Sequence, residues 1–210
     1  MIWAIILAAG ESKRMGEPKL LLPFGEKSII EQVLDSVISS EVDKSLVVLG
    51  SEGQKIKKKI KRYPVEITSN PYFQRGMLSS VQWGLQTLPK DAEAALFVLG
   101  DQPGISKDVI NPLIEAFRIQ KKGIVVSVYK DSRGHPVLVD MKYREEIRNL
   151  DPEIGLRELI YGHPEDILEV RVKSSRAILG DIDDWKDYQR ELKKKNKKNT
   201  KKDTINLPKK

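Results

Sequence analysis

Short, almost wholly apolar stretches recur along the chain and alternate with segments in which apolar residues return every three to four positions. The apolar stretches are rich in β-branched residues, which is typical of buried β-strands. They occupy residues 2–9, 45–50, 65–68, 94–100, 124–130 and 135–140. Helical periodicity appears between them, at residues 28–40, 53–63, 78–88 and 106–120. This alternation predicts an α/β fold with three layers, in which a mostly parallel, Rossmann-like sheet has helices on both faces.

The pattern changes after residue 123. Strands at 124–130 and 135–140 flank the four residues "DSRG", which predicts a small antiparallel insertion in the C-terminal half. Helices over 142–150 and 155–162, a strand over 166–174 and a closing helix over 183–195 complete the predicted order. We therefore expect a single domain over residues 1–190.

Charge is concentrated at the end of the chain. The 210 residues carry a formal net charge of +7. Residues 193–210 hold nine lysines and one aspartate, so the rest of the chain is close to neutral. A segment with many like charges and few apolar residues is expected to form a disordered, solvated tail. Although this tail could contact a polyanion, the neutral body argues against a nucleic-acid-binding protein.

Other features of the composition narrow the class of protein further. The chain contains no cysteine, which excludes disulfides and thiolate metal sites. Its apolar runs are shorter than the ~20 residues of a transmembrane helix. The first run also lacks the basic residues that precede the apolar part of a signal peptide. We expect a cytoplasmic protein without membrane contact.

A loop between Gly10 and Gly16 follows the first predicted strand. Five residues lie between its glycines, a spacing that fits neither the P-loop nor the dinucleotide fingerprint. Free backbone N–H groups after a strand can still bind phosphate oxygens, and Arg14 and Lys19 add positive charge. An ordinary strand-to-helix loop with solvated cations would have the same sequence, so the loop favours a phosphate site without establishing one.

Polar residues elsewhere suggest further parts of a site. Asp101 directly follows a strand, where a carboxylate near a phosphate loop suits Mg²⁺, although a helix-capping aspartate would look the same. Ser79 and Ser80 begin a helix and suit either a base or ribose or a plain helix cap. A late cluster could supply a second metal ligand or simply oppose a helix dipole; it comprises Asp181, Asp183, Asp184 and Asp187.

Five segments together resemble one family, the nucleotidyltransferases of molybdenum cofactor biosynthesis, which share a fold with sugar-phosphate nucleotidyltransferases. In chain order they are "LAAGESKRMGEPKLLLP", "NPYFQRGMLSSVQWG", "LGDQP", "RGHPVLV" and "GDIDDWKDY". The resemblance covers residues 2–190. Ala9, "GEPK" at 16–19 and "RGHPVL" look more like the cytidylyltransferase branch than the guanylyltransferase branch. Two segments depart from the family pattern: Asp-Trp-Lys stands at 184–186 in place of Thr-Pro-Glu, and Pro-Glu-Ile separates Asp151 from Gly155.

The resemblance implies a role for each matching residue. Nucleotide binding is implied for Leu7, Ala8, Ala9, Gly10, Arg14, Lys19, Asn70, Ser80 and Asp101. The implied catalytic residues are Arg14, Lys19 and Asp101. Asp101 and Asp183 are the implied Mg²⁺ ligands, with Asp181 an alternative to Asp183. The acceptor side is expected to include His135, Gly155 and Arg157, although His135 could equally make only local bonds.

The resemblance also implies an activity and partners. A Mg²⁺-dependent enzyme would transfer a nucleoside monophosphate from an NTP, CTP before others, to the phosphate of molybdopterin and release pyrophosphate. Its nucleotide-binding part would span residues 1–123 and its acceptor-binding part 124–190, with a molybdoenzyme or its chaperone as protein partner. The alternatives are another phosphorylated acceptor, such as a sugar phosphate, or a non-catalytic nucleotide-binding protein of the same fold.

Overall fold

The computed structural model describes residues 1–173 and 180–205. The strands in these ranges are β1 (Ile2–Ala8), β2 (Pro23–Phe24), β3 (Lys27–Ser28), β4 (Lys44–Leu49), β5 (Glu66–Ser69), β6 (Ala94–Leu99), β7 (Ile124–Tyr129), β8 (Ser132–Asp140) and β9 (Ile167–Arg171). The α-helices are α1 (Ile29–Ile38), α2 (Gly53–Ile60), α3 (Met77–Thr87), α4 (Lys107–Gln120), α5 (Arg144–Arg148), α6 (Leu156–Gly162) and α7 (Trp185–Ile205). Short 3-10 helices lie at Lys19–Leu21, Phe73–Arg75, Met141–Tyr143 and Pro164–Asp166.

Seven strands form one sheet in the order β5-β4-β1-β6-β8-β7-β9. β1 pairs in parallel with β4 and β6, so that Ile5 lies opposite Leu46 on one side and Phe97 on the other. β5 and β9 are the parallel edge strands, whereas β8 runs antiparallel to both β6 and β7. The predicted mostly parallel sheet with an antiparallel insertion after residue 123 is confirmed.

Alternate side chains of the central strands enter two cores, one on each face of the sheet. Along β1, one core receives Ile2, Ala4, Ile6 and Ala8, and the other receives Trp3, Ile5 and Leu7. Apolar residues of α1, α2, α4 and α7 cover the first core, and those of α3, α5 and α6 cover the second. Because both faces are covered, the strands are apolar on both sides, and the three-layer prediction is confirmed.

Helix α1 begins where the sequence predicted. The Ser28 backbone N–H donates to the Glu31 carboxylate at 2.9 Å, the Ser28 hydroxyl approaches the same oxygen at 2.6 Å, and both halves of the capping box are present. The apolar stripe of the helix, which includes Ile30 and Leu34, is fully buried from Ile29 to Val37, and only Ile38 at its end is exposed. The capping box fixes the start of α1 directly after the hairpin of β2 and β3.

The connection between β7 and β8 is tighter than predicted. Tyr129 pairs with Ser132, so only Lys130 and Asp131 form the turn, and Lys130 takes a positive φ of 54°. The predicted four-residue turn is therefore wrong, because the strand β8 begins at Ser132. The pairing of the start of β8 with β7 is not visible in the apolar pattern, since Ser132 and Arg133 are polar and exposed.

The Lys-rich segment is helical as far as Ile205, because α7 continues through it. The prediction of a disordered tail is wrong for residues 193–205, and residues 206–210 lie outside the described residues. Lysine is a good helix former, and Leu192 packs against the first core, so a stable beginning lets the helix continue. Despite the length of α7, no helix in the described ranges is long and apolar enough to cross a membrane.

A two-stranded hairpin of β2 and β3, which the sequence did not predict, lies under α7. The Tyr188 hydroxyl donates to the Pro23 carbonyl at 2.5 Å, and the Lys195 ammonium donates to the Phe24 carbonyl at 2.7 Å. The Lys195 ammonium also lies 4.7 Å from the centre of the Phe24 ring. These contacts hold the C-terminal helix against an N-terminal element of the chain.

Asp166 joins the end of β8 to the start of β9. Its carboxylate accepts a hydrogen bond from the Tyr143 hydroxyl at 2.6 Å and pairs with the Lys142 ammonium at 2.7 Å. Burial acts to raise the pKa of this carboxyl, but the hydrogen bonds from Lys142, Tyr143 and the backbone of Gly123 outweigh burial and hold the pKa at about 2. The folded state therefore favours the ionised form of Asp166.

Asp166→Asn should lower the free energy of unfolding at pH 7 by about 1–2 kcal/mol, because the amide cannot replace the charge. The folded pKa lies below that of the unfolded chain, so this stabilisation is present above about pH 4 and is lost towards about pH 2. The difference in free energy of unfolding between the wild type and Asp166→Asn, measured by urea unfolding, should therefore be much larger at pH 7 than at about pH 2.5. A separation that does not change with pH would contradict this, and the exposed Asp131→Asn provides the control.

Candidate active site

Most of the predicted site residues gather at one edge of the sheet, where β1, β4, β5 and β6 all end. Parallel strands place their carboxyl ends on the same side, and ligands of open α/β sheets bind there. The loop of residues 9–18 follows β1, Asn70 follows β5 and Asp101 follows β6. Since β8 runs in the opposite direction, its beginning with His135 lies at this same edge.

The loop after β1 exposes backbone N–H groups. Met15 and Gly16 donate their N–H groups to the Ser12 carbonyl at 3.0 and 3.2 Å, which closes the loop on itself. Ser12 and Gly16 both take positive φ values, of 53° and 68°. Within the part of the chain that the structure describes, the N–H groups of residues 10–14 donate no hydrogen bond. A row of unused donors beside cations is the arrangement that binds phosphate.

Close backbone contacts fix where this loop leaves the sheet. The Gly100 N–H donates to the Leu7 carbonyl at 3.0 Å. A Cβ atom at Gly50 would lie 2.8 Å from the Ala9 Cα and closer still to the Ala9 carbonyl oxygen. Only glycine at position 50 allows the end of β4 to approach the first residues of the loop this closely.

Gly50→Ala should destabilise the protein by about 1–3 kcal/mol, because the methyl group must displace the Ala9 backbone. The Michaelis constant for nucleotide should rise at the same time, since the loop moves with Ala9. Thermal unfolding and nucleotide titration measure the two effects. Gly162→Ala is the matched control, because an added Cβ there meets nothing within 4 Å; equal melting temperatures for the two variants would contradict the contact.

Lys19 connects the loop to two distant segments. Its backbone N–H donates to the Ser12 hydroxyl at 3.2 Å, and its ammonium donates to the Asp101 carboxylate at 2.5 Å and to the Ile182 carbonyl at 2.7 Å. The Asp183 carboxylate lies 3.6 Å from the same ammonium and 3.5 Å from the Arg14 guanidinium. Arg14, Lys19, Asp101 and Asp183, which the sequence predicted separately, therefore meet in one cluster.

The environment of Asp101 opposes its charge. Burial raises the pKa of this carboxyl; Lys19 acts to lower it, and the carboxylates of Asp181 and Asp183 raise it further, so that the pKa lies above its ordinary range. Asp183 is exposed and Asp181 is half-buried. Two carboxylates, those of Asp101 and Asp183, thus lie within 4 Å of the Lys19 ammonium, and the charge of Asp181 also acts on Asp101.

His135 lies partly buried beside this cluster. Its Nδ1 is 3.4 Å from the Phe97 carbonyl oxygen. Burial lowers the pKa of the imidazole, while the Phe97 carbonyl and the charge of Asp181 act in the opposite direction. The histidine is thus close to Asp181 and makes a local contact with β6, and a role toward the acceptor stays a prediction.

Asn70 and Ser80 hold each other inside the protein. The Asn70 amide donates to the Ser79 and Ser80 hydroxyls at 3.0 Å each, and its oxygen accepts the Tyr72 N–H at 2.8 Å. Asn70 and Ser80 are both buried. The structure thus gives these residues a part in shaping the loop before α3, and nucleotide contact by them stays a prediction.

The remaining predicted residues lie either in the core or at a distance. Leu7, Ala8 and Ala9 are buried, so only their backbone can face a ligand. Gly155 takes a positive φ of 70° before α6, and Arg157 is exposed without a hydrogen bond or ion pair in the described ranges. No contact joins them to the Lys19 cluster among the described residues, and their role toward an acceptor stays a prediction.

Sequence reasoning missed three contributors to the cluster. They are the Ser12 hydroxyl, the Ile182 carbonyl and Trp185, whose indole N–H donates to the Met15 carbonyl at 3.2 Å. Every residue has a backbone carbonyl, so the sequence does not show that the Ile182 carbonyl contacts Lys19. Trp185 did leave a signal, because it stands where the related family has proline.

An α/β sheet with a loop of unused N–H donors after its first strand, and a carboxylate after a neighbouring strand, is compatible with a nucleotidyltransferase. The sequence model of the MobA-like NTP transferase domain matches residues 4–167. The chain belongs to this family.

Individual relatives and solved structures are similar to this chain over most of its length. The molybdenum cofactor cytidylyltransferase of Escherichia coli strain K12 is 24% identical over 186 residues, which cover 88% of this chain and 92% of that protein. The nicotine blue oxidoreductase of Paenarthrobacter nicotinovorans is 28% identical over 170 residues, covering 78% and 83%. The crystal structure of Rv0371c from Mycobacterium tuberculosis H37Rv superposes with a TM-score of 0.80 at 26% identity, covering 91% of this chain and 97% of that one.

Proposed function

We propose that this nucleotidyltransferase transfers a cytidine monophosphate group from CTP to the phosphate of molybdopterin and releases pyrophosphate. The observation that carries the proposal is the Lys19 ammonium, placed between Asp101 and Asp183 beside a loop with unused N–H donors. CTP is favoured because Ala9 and the "GEPK" segment look like the cytidylyltransferase branch. A molybdoenzyme or its chaperone would receive the product.

The reaction needs no nucleophile from the protein. An ionised oxygen of the acceptor phosphate attacks the α-phosphorus of CTP, a new oxygen–phosphorus bond forms, and the bond to pyrophosphate breaks. The chain contains no cysteine, which is compatible with this direct transfer. Catalysis then consists of positioning and of stabilising negative charge.

The described residues divide these tasks. The N–H groups of residues 10–14 would hold phosphate oxygens, and Arg14 would bind them from the exposed side of the loop. Lys19 is held by the Asp101 and Ile182 oxygens and would stabilise the charge that develops on the leaving pyrophosphate. Asp101 and Asp183 in turn keep that ammonium in place.

We propose that a pair of carboxylates would hold a divalent metal, since no group of three or more acidic or histidine side chains among the described residues is arranged to hold one. Asp101 and Asp183 converge on one positive charge, and carboxylate oxygens are the donors that Mg²⁺ prefers. When bound there, Mg²⁺ would neutralise phosphate charge and orient the triphosphate. Asp181 is the alternative second ligand, since its charge also acts on Asp101.

The deciding experiment measures pyrophosphate release from CTP, GTP and ATP with purified molybdopterin as acceptor, with and without Mg²⁺. We expect the highest rate with CTP and Mg²⁺. Release with a sugar phosphate but not with molybdopterin would replace the proposed acceptor. Calorimetric CTP binding without release from any pair would instead indicate a non-catalytic nucleotide-binding protein. Direct measurement is needed because one relative in this family bears the name of an oxidoreductase.

A further inference from the structure

Trp185 is an unusual residue at the beginning of α7. It is a large apolar side chain that stays 40% exposed. Its ring packs edge-on against Tyr188 with ring centres 5.8 Å apart, which directs the indole towards the loop after β1. The indole N–H donates to the Met15 carbonyl at 3.2 Å.

This hydrogen bond reaches the loop from outside. The other backbone bonds that shape the loop run from Met15 and Gly16 to Ser12, within the loop itself. Trp185 is 170 positions further along the chain than Met15. The Met15 side chain is buried in the first core, so its carbonyl is a firm point of attachment.

The segment before Trp185 is itself fixed to the sheet. The Ile182 N–H donates to the Asp101 carbonyl at 3.1 Å, and the Ile182 side chain is fully buried. The Asp187 N–H donates to the Asp184 carboxylate at 2.8 Å, which caps the first turn of α7. Trp185 therefore projects from a rigid base.

We infer that Trp185 is a positioning residue, which holds the loop of residues 10–16 in its phosphate-binding conformation through the Met15 carbonyl. A loop that is already ordered loses less freedom when a triphosphate binds, and so binds it more tightly. Trp185 touches no reacting atom in this role. The inference rests on the proposed function for its effect on nucleotide, but its effect on the loop is independent of any activity.

Trp185→Phe tests the inference, because phenylalanine keeps the aromatic ring and removes the N–H donor. Lys13 and Arg14 lie at the tip of the loop and are exposed, so trypsin cleavage after them reports how often the loop opens. Without nucleotide, we expect Trp185→Phe to be cleaved there about fivefold faster, the effect of losing one hydrogen bond. Fragment masses identify the cleaved bond.

The control is Tyr188→Phe, which removes a hydrogen bond from the same helix to Pro23 and leaves the loop contact intact. We expect wild-type cleavage after Lys13 and Arg14 in this variant. Equal acceleration in both variants would show that α7 matters only as a whole and would overturn the inference, as would wild-type cleavage in Trp185→Phe. Neither outcome depends on whether the protein transfers nucleotides.

A kinetic measurement completes the test. In Trp185→Phe the Michaelis constant for nucleotide should rise about fivefold, while kcat changes less, because the bond orders the loop before binding. If Trp185 had a purely structural role, Trp185→Phe would lower the melting temperature without raising the Michaelis constant more than it changes kcat. If wild-type protein releases no pyrophosphate with any nucleotide, the proposed function fails, and the proteolysis result still decides the role of Trp185.

Discussion

Lys19→Met should reduce pyrophosphate release by about 10²–10³-fold, the usual cost of removing one preorganised donor to a developing negative charge. Methionine keeps the unbranched apolar stem, without the terminal ammonium, and so cannot donate to Asp101 or to the Ile182 carbonyl. The loss should appear mainly in kcat, since the charge on pyrophosphate grows in the transition state. Steady-state kinetics with a coupled pyrophosphate assay measures it.

Lys27→Met is a matched control, because it breaks another lysine–aspartate contact, that of Lys27 with Asp35 at 2.6 Å. This pair lies on the surface between the hairpin and α1 and should leave the rate near that of the wild type. A Lys19→Met enzyme with more than half of the wild-type kcat would remove Lys19 from the mechanism. Loss of activity in both variants would point to general disruption of the protein.

Asp101→Asn should reduce the rate by a similar factor, about 10²–10³-fold, and should abolish the response to Mg²⁺. The amide is the same size as the carboxyl but holds neither a metal ion nor the Lys19 ammonium by charge. Rates at increasing Mg²⁺ concentration measure both effects. A variant that is slow but still fully activated by Mg²⁺ would show that the metal binds elsewhere.

The stability of Asp101→Asn separates catalysis from folding. The pKa of Asp101 lies above its ordinary value, so folding favours the protonated carboxyl, and ionisation at neutral pH costs stability. A neutral amide removes this cost, and we expect the melting temperature to stay at or above that of the wild type. A strongly lowered melting temperature would instead indicate that the ion pair with Lys19 stabilises the fold. The wild type would thus keep a costly buried charge for function.

The sequence allowed the architecture to be predicted because burial on both faces of a sheet forces continuous apolar runs. Every long strand and helix therefore left a pattern that a window of residues could detect, as in β1 and α1. The two-residue strands β2 and β3 left none, since too few side chains are involved. The helical state of the Lys-rich part of α7 was not predicted for a different reason. Charge repulsion alone favours a disordered segment, whereas the beginning of the helix is packed against the first core.

The cluster could be predicted only in part. Lys19 and Asp101 follow strands that turned out to be neighbours, and the rule for parallel sheets brings such residues together. That rule predicts which residues lie near one another, but not which of them form hydrogen bonds or ion pairs. The Asn70 amide, which the resemblance assigned to nucleotide, donates to two serine hydroxyls and accepts a backbone N–H in the loop before α3, contacts that the resemblance did not indicate. Packing decides which hydrogen-bond partners a side chain has, and these partners cannot be predicted from the sequence alone.

The contact between the loop of residues 10–16 and the start of α7 can form only late in the synthesis of the protein. Residues 170 positions apart must meet before the loop is held. Synthesis proceeds at about 5–20 residues per second, so on the order of ten to thirty seconds separate their appearance. During that interval β1, β4, β5 and β6 can pair, because all are made early.

A nascent chain at this stage would contain these strands and the loop. It would still lack Asp183 and the Ile182 carbonyl, which contact Lys19, and Trp185, which contacts Met15. The Met15 carbonyl would therefore gain its hydrogen bond from α7 only after residues 182–185 have been synthesised.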